Sequence, residues 1–185
     1  MIDDSIPWRE DLLKIADRLK GRKTQKRWTQ RTGFLIERDI MLGAYIVRRL
    51  NEARKISDEL ASREFDVDAH ALVGKAPDML TRSSYWESFD LETITPTKLA
   101  LPHLCNQIIH SYVWSLSVTE TEQLLDGLYV CSDHKRRKIL YRIPIDSLIE
   151  LFACVGAEDI YQISMRADAN GERQIVSVKG CSALD

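Results

Sequence analysis

The stretch LPHLCNQIIHSYVW, Leu101–Trp114, decides how this chain is read. Asn106 and His110 stand four residues apart, which on a helix places both side chains on one face, one turn apart. Leu104, Ile108, Ile109 and Val113 supply an apolar face beside them, so the spacing predicts a helix through the whole stretch. Pro102 suits the first turn of that helix, where a missing N–H costs little.

Toward the N-terminus the pattern stays helical. Trp8, Leu12, Ile15, Ala16 and Leu19 recur at helical spacing behind Ser5 as a cap and Pro7 in the first turn, with Gly21 as the stop. A longer helix is expected from about Arg31 to Leu50. The breadth of its apolar surface (Phe34, Leu35, Ile40, Leu42, Ala44, Ile46, Val47, Leu50) makes it the central core helix. Residues 56–96 are less regular. Arg63–Val73 alternates loosely as a strand or extended loop, and Tyr85, Trp86 and Phe89 form an aromatic cluster expected to cap the helical core.

After Trp114 the character changes. GLYVCS (127–132) and KILYRI (138–143) are strand-like around a charged hairpin tip. A short helix follows from Ser147 to Val155, capped by Asp146 and stopped by Gly156. Ile160–Arg166 and Gln174–Lys179 form a second hairpin across Asn170-Gly171. The expected class is α+β: an N-terminal antiparallel helical bundle over 1–120, followed by a small antiparallel β-hairpin–helix–β-hairpin region over 121–185 packed on it.

Length, at 185 residues, fits one compact body with two subregions. No apolar run approaches the roughly 18 residues of a membrane span, and the acidic start MIDDSIPWRED lacks the layout of a signal peptide. A cytoplasmic protein without membrane partners is expected. Cys105, Cys131, Cys154 and Cys181 are widely spaced with no CxxC pair, which predicts free thiols, some of them buried. No phosphate loop, GxSxG or HExxH motif is present, and Asp66-Val67-Asp68 alone is a weak metal signal, so no metal and no cofactor are expected.

Two segments are strongly basic. Arg22, Lys23, Lys26, Arg27 and Arg31 surround Trp28, a pattern able to track a phosphate backbone and stack on a base, or to form a solvated linker. The hairpin tip carries His134, Lys135, Arg136, Arg137 and Lys138, able to grip phosphate or to protect a sheet edge from pairing. Together they are the candidate surface for RNA or a protein partner.

The run CNQIIHSYV resembles the signature of the HEPN superfamily, helical-bundle proteins that include RNA-cleaving toxins and phage-defence components. The family pattern is an Arg, often followed by Asn, then three residues and a His, with a Tyr two residues later. Asn106, His110 and Tyr112 match it, and Cys105 stands where the family has arginine. The resemblance implies His110 as acid/base, Asn106 as its orienter, Tyr112 beside them, and a site built across a homodimer. Metal-free RNA cleavage needs a group titrating near neutrality and a fixed cation against the charge developing on phosphate. Cys105 cannot supply that cation; Arg31, Arg48 or Arg49 would have to. The first expectation is therefore a non-catalytic HEPN-like scaffold that binds RNA or a protein partner, in a defence or toxin–antitoxin setting. The alternatives are a metal-independent endoribonuclease using His110, and an interaction module unrelated to nucleic acid. An arginine within reach of His110 would favour the nuclease. A basic surface joining 22–31 with 134–138 would favour RNA binding.

Overall fold

The computed structural model describes residues 4–182; the first three residues of the acidic start, and residues 183–185, lie outside it. The chain is α+β, with helices and an antiparallel sheet interleaved along its length. In chain order the elements are α1 (Ile6–Arg22), α2 (Gln30–Glu52), α3 (Asp58–Ser62), β1 (Glu64–Ala71), a 3-10 turn (Arg82–Glu87), β2 (Thr95–Ala100), α4 (Leu101–Ile109), β3 (Ser111–Val118), β4 (Leu125–Ser132), β5 (Ile139–Pro144), α5 (Ile145–Ala157), β6 (Glu158–Ala167) and β7 (Arg173–Ser182). Five strands form one sheet in the order β2-β1-β5-β4-β3, and β6 and β7 form a separate ribbon.

This arrangement corrects the expected N-terminal bundle. β1, β2 and β3 all precede residue 120, and they share their sheet with β4 and β5, which follow it. The reason lies in the opening stretch itself. Ser-Tyr-Val-Trp-Ser-Leu-Ser-Val carries β-branched and aromatic residues at a period of two, so Val113 is buried on one face of the sheet while Trp114 and Leu116 pack against the other core. The helical pattern therefore stops at Ile109. His110 sits at the C-cap with φ −104° and ψ 28°, and Ser111 opens a strand.

Helices cover one face of the sheet. Leu12, Ile15 and Leu19 of α1, Ile36, Ile40 and Val47 of α2, Leu104 and Ile108 of α4, and Leu148, Leu151 and Phe152 of α5 join Val67, Val130 and Ile143 in the main core. α2 can lie close to α5 because position 43 is glycine: a Cβ there would fall 2.6 Å from the Phe152 ring. α1 is tied to α2 by Arg18, whose Nε and Nη2 donate to Asp39 at 2.8 and 3.0 Å. Asp39 is thus a buried anchor.

The other face carries a smaller core of Tyr85, Phe89, Val113, Cys131 and Leu140. The expected aromatic cap is hence divided and relocated. Tyr85 and Phe89 seal the sheet's second face, away from the helices, and Trp86 points to solvent.

Element ends also differ in detail from the sequence expectations. Gly21 and Gly156 lie inside their helices. Ser5 occupies the N-cap of α1 without a capping bond, and the amide of Ile6 donates to Asp4 instead. Asp146 lies within α5, behind Pro144 at the N-cap position. Gly171 has φ +83°, the left-handed conformation the Asn-Gly turn requires.

The β6–β7 ribbon is anchored at its base. The Glu158 carboxylate accepts from the Ser57 amide and pairs with Arg9 at 3.9 Å, while the Val178 amide donates to Asp58 at 3.0 Å.

Candidate phosphate pocket

α4 presents two unlike faces. Leu104, Cys105 and Ile108 point into the core, and His103, Asn106 and His110 point outward. The outward face forms one side of an open pocket of about 480 Å³, lined by Arg48, His103, Asn106, Gln107, His110, Ser132, Asp133, His134 and Lys135. Three chain segments far apart in sequence meet here: the last turns of α2, the outer face of α4, and the tip joining β4 to β5. Three of the chain's four histidines line it.

The central contact is Arg48 Nη1 to His110 Nε2 at 3.0 Å. A guanidinium can only donate, so Nε2 is the acceptor and the imidazole proton resides on Nδ1. Arg48 Nε also donates to Glu52 at 2.8 Å, and Arg49 donates to the second oxygen of the same carboxylate at 2.8 Å. Those two guanidiniums hold the Glu52 carboxyl below its ordinary range. Arg48 is thereby held over His110 from the neighbouring helix. Of the arginines considered as replacements for Cys105, it is the one that reaches the site. Arg49 is paired with Glu52, and Arg31 lies in the first turn of α2, seventeen residues and roughly 25 Å along the helix.

Cys105 itself is fully buried, and burial pushes its thiol up to about 12. The position that the motif assigns to arginine is a core position here.

The tip is fixed by Gln107. Its side-chain oxygen accepts from the Ser132 amide at 3.0 Å, and the Ser132 carbonyl in turn accepts from the amides of Lys135 and Arg136 at 2.9 and 3.0 Å. Asp133 is the pocket's one carboxylate, and Arg136 Nε occupies it at 2.8 Å. Lys135 makes no ion pair among the described residues. The lining thus presents the unpaired Lys135 ammonium, an Arg48 guanidinium shared with Glu52, three imidazoles and one carboxylate already paired with Arg136, an arrangement able to meet a phosphate. No group of three or more His, Cys, Asp or Glu among the described residues is placed to hold a metal ion.

Of the motif residues, Asn106 and His110 come together and Tyr112 does not join them. The contact between Asn106 and His110 is the helical bond from the His110 amide to the Asn106 carbonyl at 3.1 Å, and among the described residues the side-chain bond to the imidazole comes from Arg48, not from Asn106. Tyr112 lies on β3, with its ring 4.4 Å from the Arg136 guanidinium and its body against the second core. It braces the tip and does not line the pocket.

The two basic segments are not continuous, so the joined basic surface expected to favour RNA binding does not form. Trp28 Nε1 donates to the Gln123 carbonyl at 2.7 Å, just before β4 begins, whereas the tip follows its end. Eight residues of strand, roughly 25 Å, separate them. Within 22–31, Lys23 pairs with Asp146 at 2.6 Å and Arg22 bonds Gln25, leaving Lys26, Arg27 and Arg31 exposed around a Trp that packs on the main core. In the tip, Lys135 and His134 enter the pocket, Arg136 and Arg137 line an adjoining hollow, and Lys138 is exposed at the start of β5.

Asp66 and Asp68 are both met by cations, Lys98 at 3.5 Å and Arg142 at 2.8 Å. Sequence reasoning missed Ser132 and the bond that joins it to Gln107. No local pattern marks them, because their roles arise from a contact across 25 positions.

No helix among the described residues is long and apolar enough to cross a membrane. Compared with protein-family models, curated proteins and solved structures, the chain matches none.

Proposed function

We propose that this protein binds RNA by taking a backbone phosphate into the pocket between Arg48, His110 and Lys135. The observation that carries this is Arg48 Nη1 at 3.0 Å from His110 Nε2 in an open, cation-lined hollow. The arginine comes from α2, so the position of Cys105 in the core does not deprive the site of positive charge. An entering phosphate would take the Nη1 donor from the imidazole and add the Lys135 ammonium, forming charge-assisted bonds stronger than the one displaced. Net charge at −2 argues against a protein that coats nucleic acid broadly, and in favour of a local grip. The test is fluorescence anisotropy with a labelled RNA oligonucleotide. Salt-dependent binding that Arg48→Ala weakens is the expected result. No binding, or unchanged affinity in the variant, would overturn the proposal.

Metal-independent RNA cleavage is the second reading, favoured by the acceptor state of His110 Nε2. Once Arg48 turns to the phosphate, that lone pair is free to take the proton of a 2′-hydroxyl, and the arginine stands against the charge that develops on phosphorus. The Asn106–His110 spacing of the HEPN signature supports this reading; the position of Tyr112 does not contribute to it. Cleavage in the presence of chelator, abolished by His110→Ala, would establish the nuclease. Binding without cleavage would leave the protein as an RNA-binding scaffold.

A further inference from the structure

Beside the phosphate pocket lies a second hollow, lined by Asp133, His134, Arg136 and Arg137. The two share Asp133 and His134, so they are contiguous, with the His134 imidazole on the wall between them. Arg136 is held in place before any ligand arrives. Its Nε donates to Asp133 at 2.8 Å, its Nη1 donates to the Pro77 carbonyl, and its guanidinium lies 4.4 Å from the Tyr112 ring. The remaining nitrogen, Nη2, makes no bond among the described residues. Arg137 is exposed and has no ion pair among them. A pre-oriented arginine loses little side-chain freedom when it accepts an anion, which is the condition for a productive phosphate contact.

Resting on the RNA reading above, we infer that this second hollow is a subsite for the neighbouring phosphate, so that the ligand is a single strand passing over the hairpin tip. Two concave, cation-lined hollows set side by side around a protruding turn suit a flexible backbone that can bend into both. The exposed imidazole between them offers a stacking surface to the intervening base, a contact that needs an unpaired base.

The experiment is anisotropy titration of a labelled single-stranded RNA decamer and of the same sequence in duplex form, at a series of salt concentrations. Each phosphate neutralised on a single strand contributes roughly 0.7 to the slope of log affinity against log salt. Arg137→Gln is expected to lower the slope by about 0.7, and Arg48→Gln by a further, independent step of about the same size. Preference for the single strand over the duplex is the second expectation. If Arg48→Gln lowers the slope and Arg137→Gln does not, the second subsite is wrong while the RNA reading stands. Equal or better binding of the duplex would overturn the single-strand assignment. If the wild-type protein binds neither form, both inferences fail together.

Discussion

Two segments of this chain carry similar numbers of cations in different surroundings. Residues 22–31 and 134–138 are both short, cationic and flanked by ordered elements. The first is tied down in part by its own fold, with Lys23 bound to Asp146, Arg22 to Gln25 and Trp28 to the Gln123 carbonyl, while Lys26, Arg27 and Arg31 stay exposed. The second leaves charge free and is braced from below by Tyr112 and Gln107, facing an arginine and two further histidines from other elements. Charge count does not separate them. What separates them is whether the surrounding structure supplies carboxylates and carbonyls to consume the donors, or more donors to concentrate them.

That contrast can be broken in several places. The largest effect is expected from moving the cation to the motif position. Cys105→Arg puts an unpaired charge in the core and should destabilise the fold by about 4 kcal/mol, read as a lowered urea midpoint. A stable variant would show that α4 can turn this position to solvent. Arg48→Ala should leave folding intact and weaken RNA binding about 10- to 100-fold, the worth of a hydrogen bond to a charged group. Lys26→Ala with Arg27→Ala should change affinity by no more than about twofold; a comparable loss would reinstate 22–31 as a contact surface.

Trp28→Ala sharpens the contrast from the other side. Loss of a half-buried indole and its hydrogen bond should cost about 2 kcal/mol of stability with RNA affinity unchanged. Asp39→Asn tests the joint between α1 and α2, the helix that reaches from the linker to the pocket. Burial alone would raise the Asp39 carboxyl, but the Arg18 and Arg38 guanidiniums outweigh it and hold the group below its ordinary range. A depressed folded value means that the ionised carboxylate stabilises the protein above about pH 4, and that this contribution fades as pH falls through the folded value. The asparagine variant should be weaker by about 1–2 kcal/mol at pH 7, Arg18 being half exposed, and should show a flatter acid limb in thermal melts.

Much of the local structure was legible in the sequence because its causes are local. The apolar spacing in α1 and α2, the Asn170-Gly171 turn and the strand-like runs of β4 and β5 around a charged tip each state their own element. β2 was not legible, since Thr-Pro-Thr-Lys-Leu-Ala carries a proline and a lysine and stands as an edge strand only by pairing with β1. The end of α4 was misread for a related reason. Val113 fits both a helical and an alternating pattern, and the choice falls to β4, whose backbone pairs with Ser111–Val118.

From residue order alone came the α+β class, the placement of Asn106 and His110 on one side of α4, and the two basic segments. Each depends on neighbours within a few positions. The tertiary structure decided which arginine meets His110, which cations of the two basic segments are paired, and that Cys105 belongs to the core. Those outcomes rest on contacts such as Arg48 with His110 across 62 residues and Trp28 with Gln123 across 95, and separations of that size leave no periodicity in the chain to read.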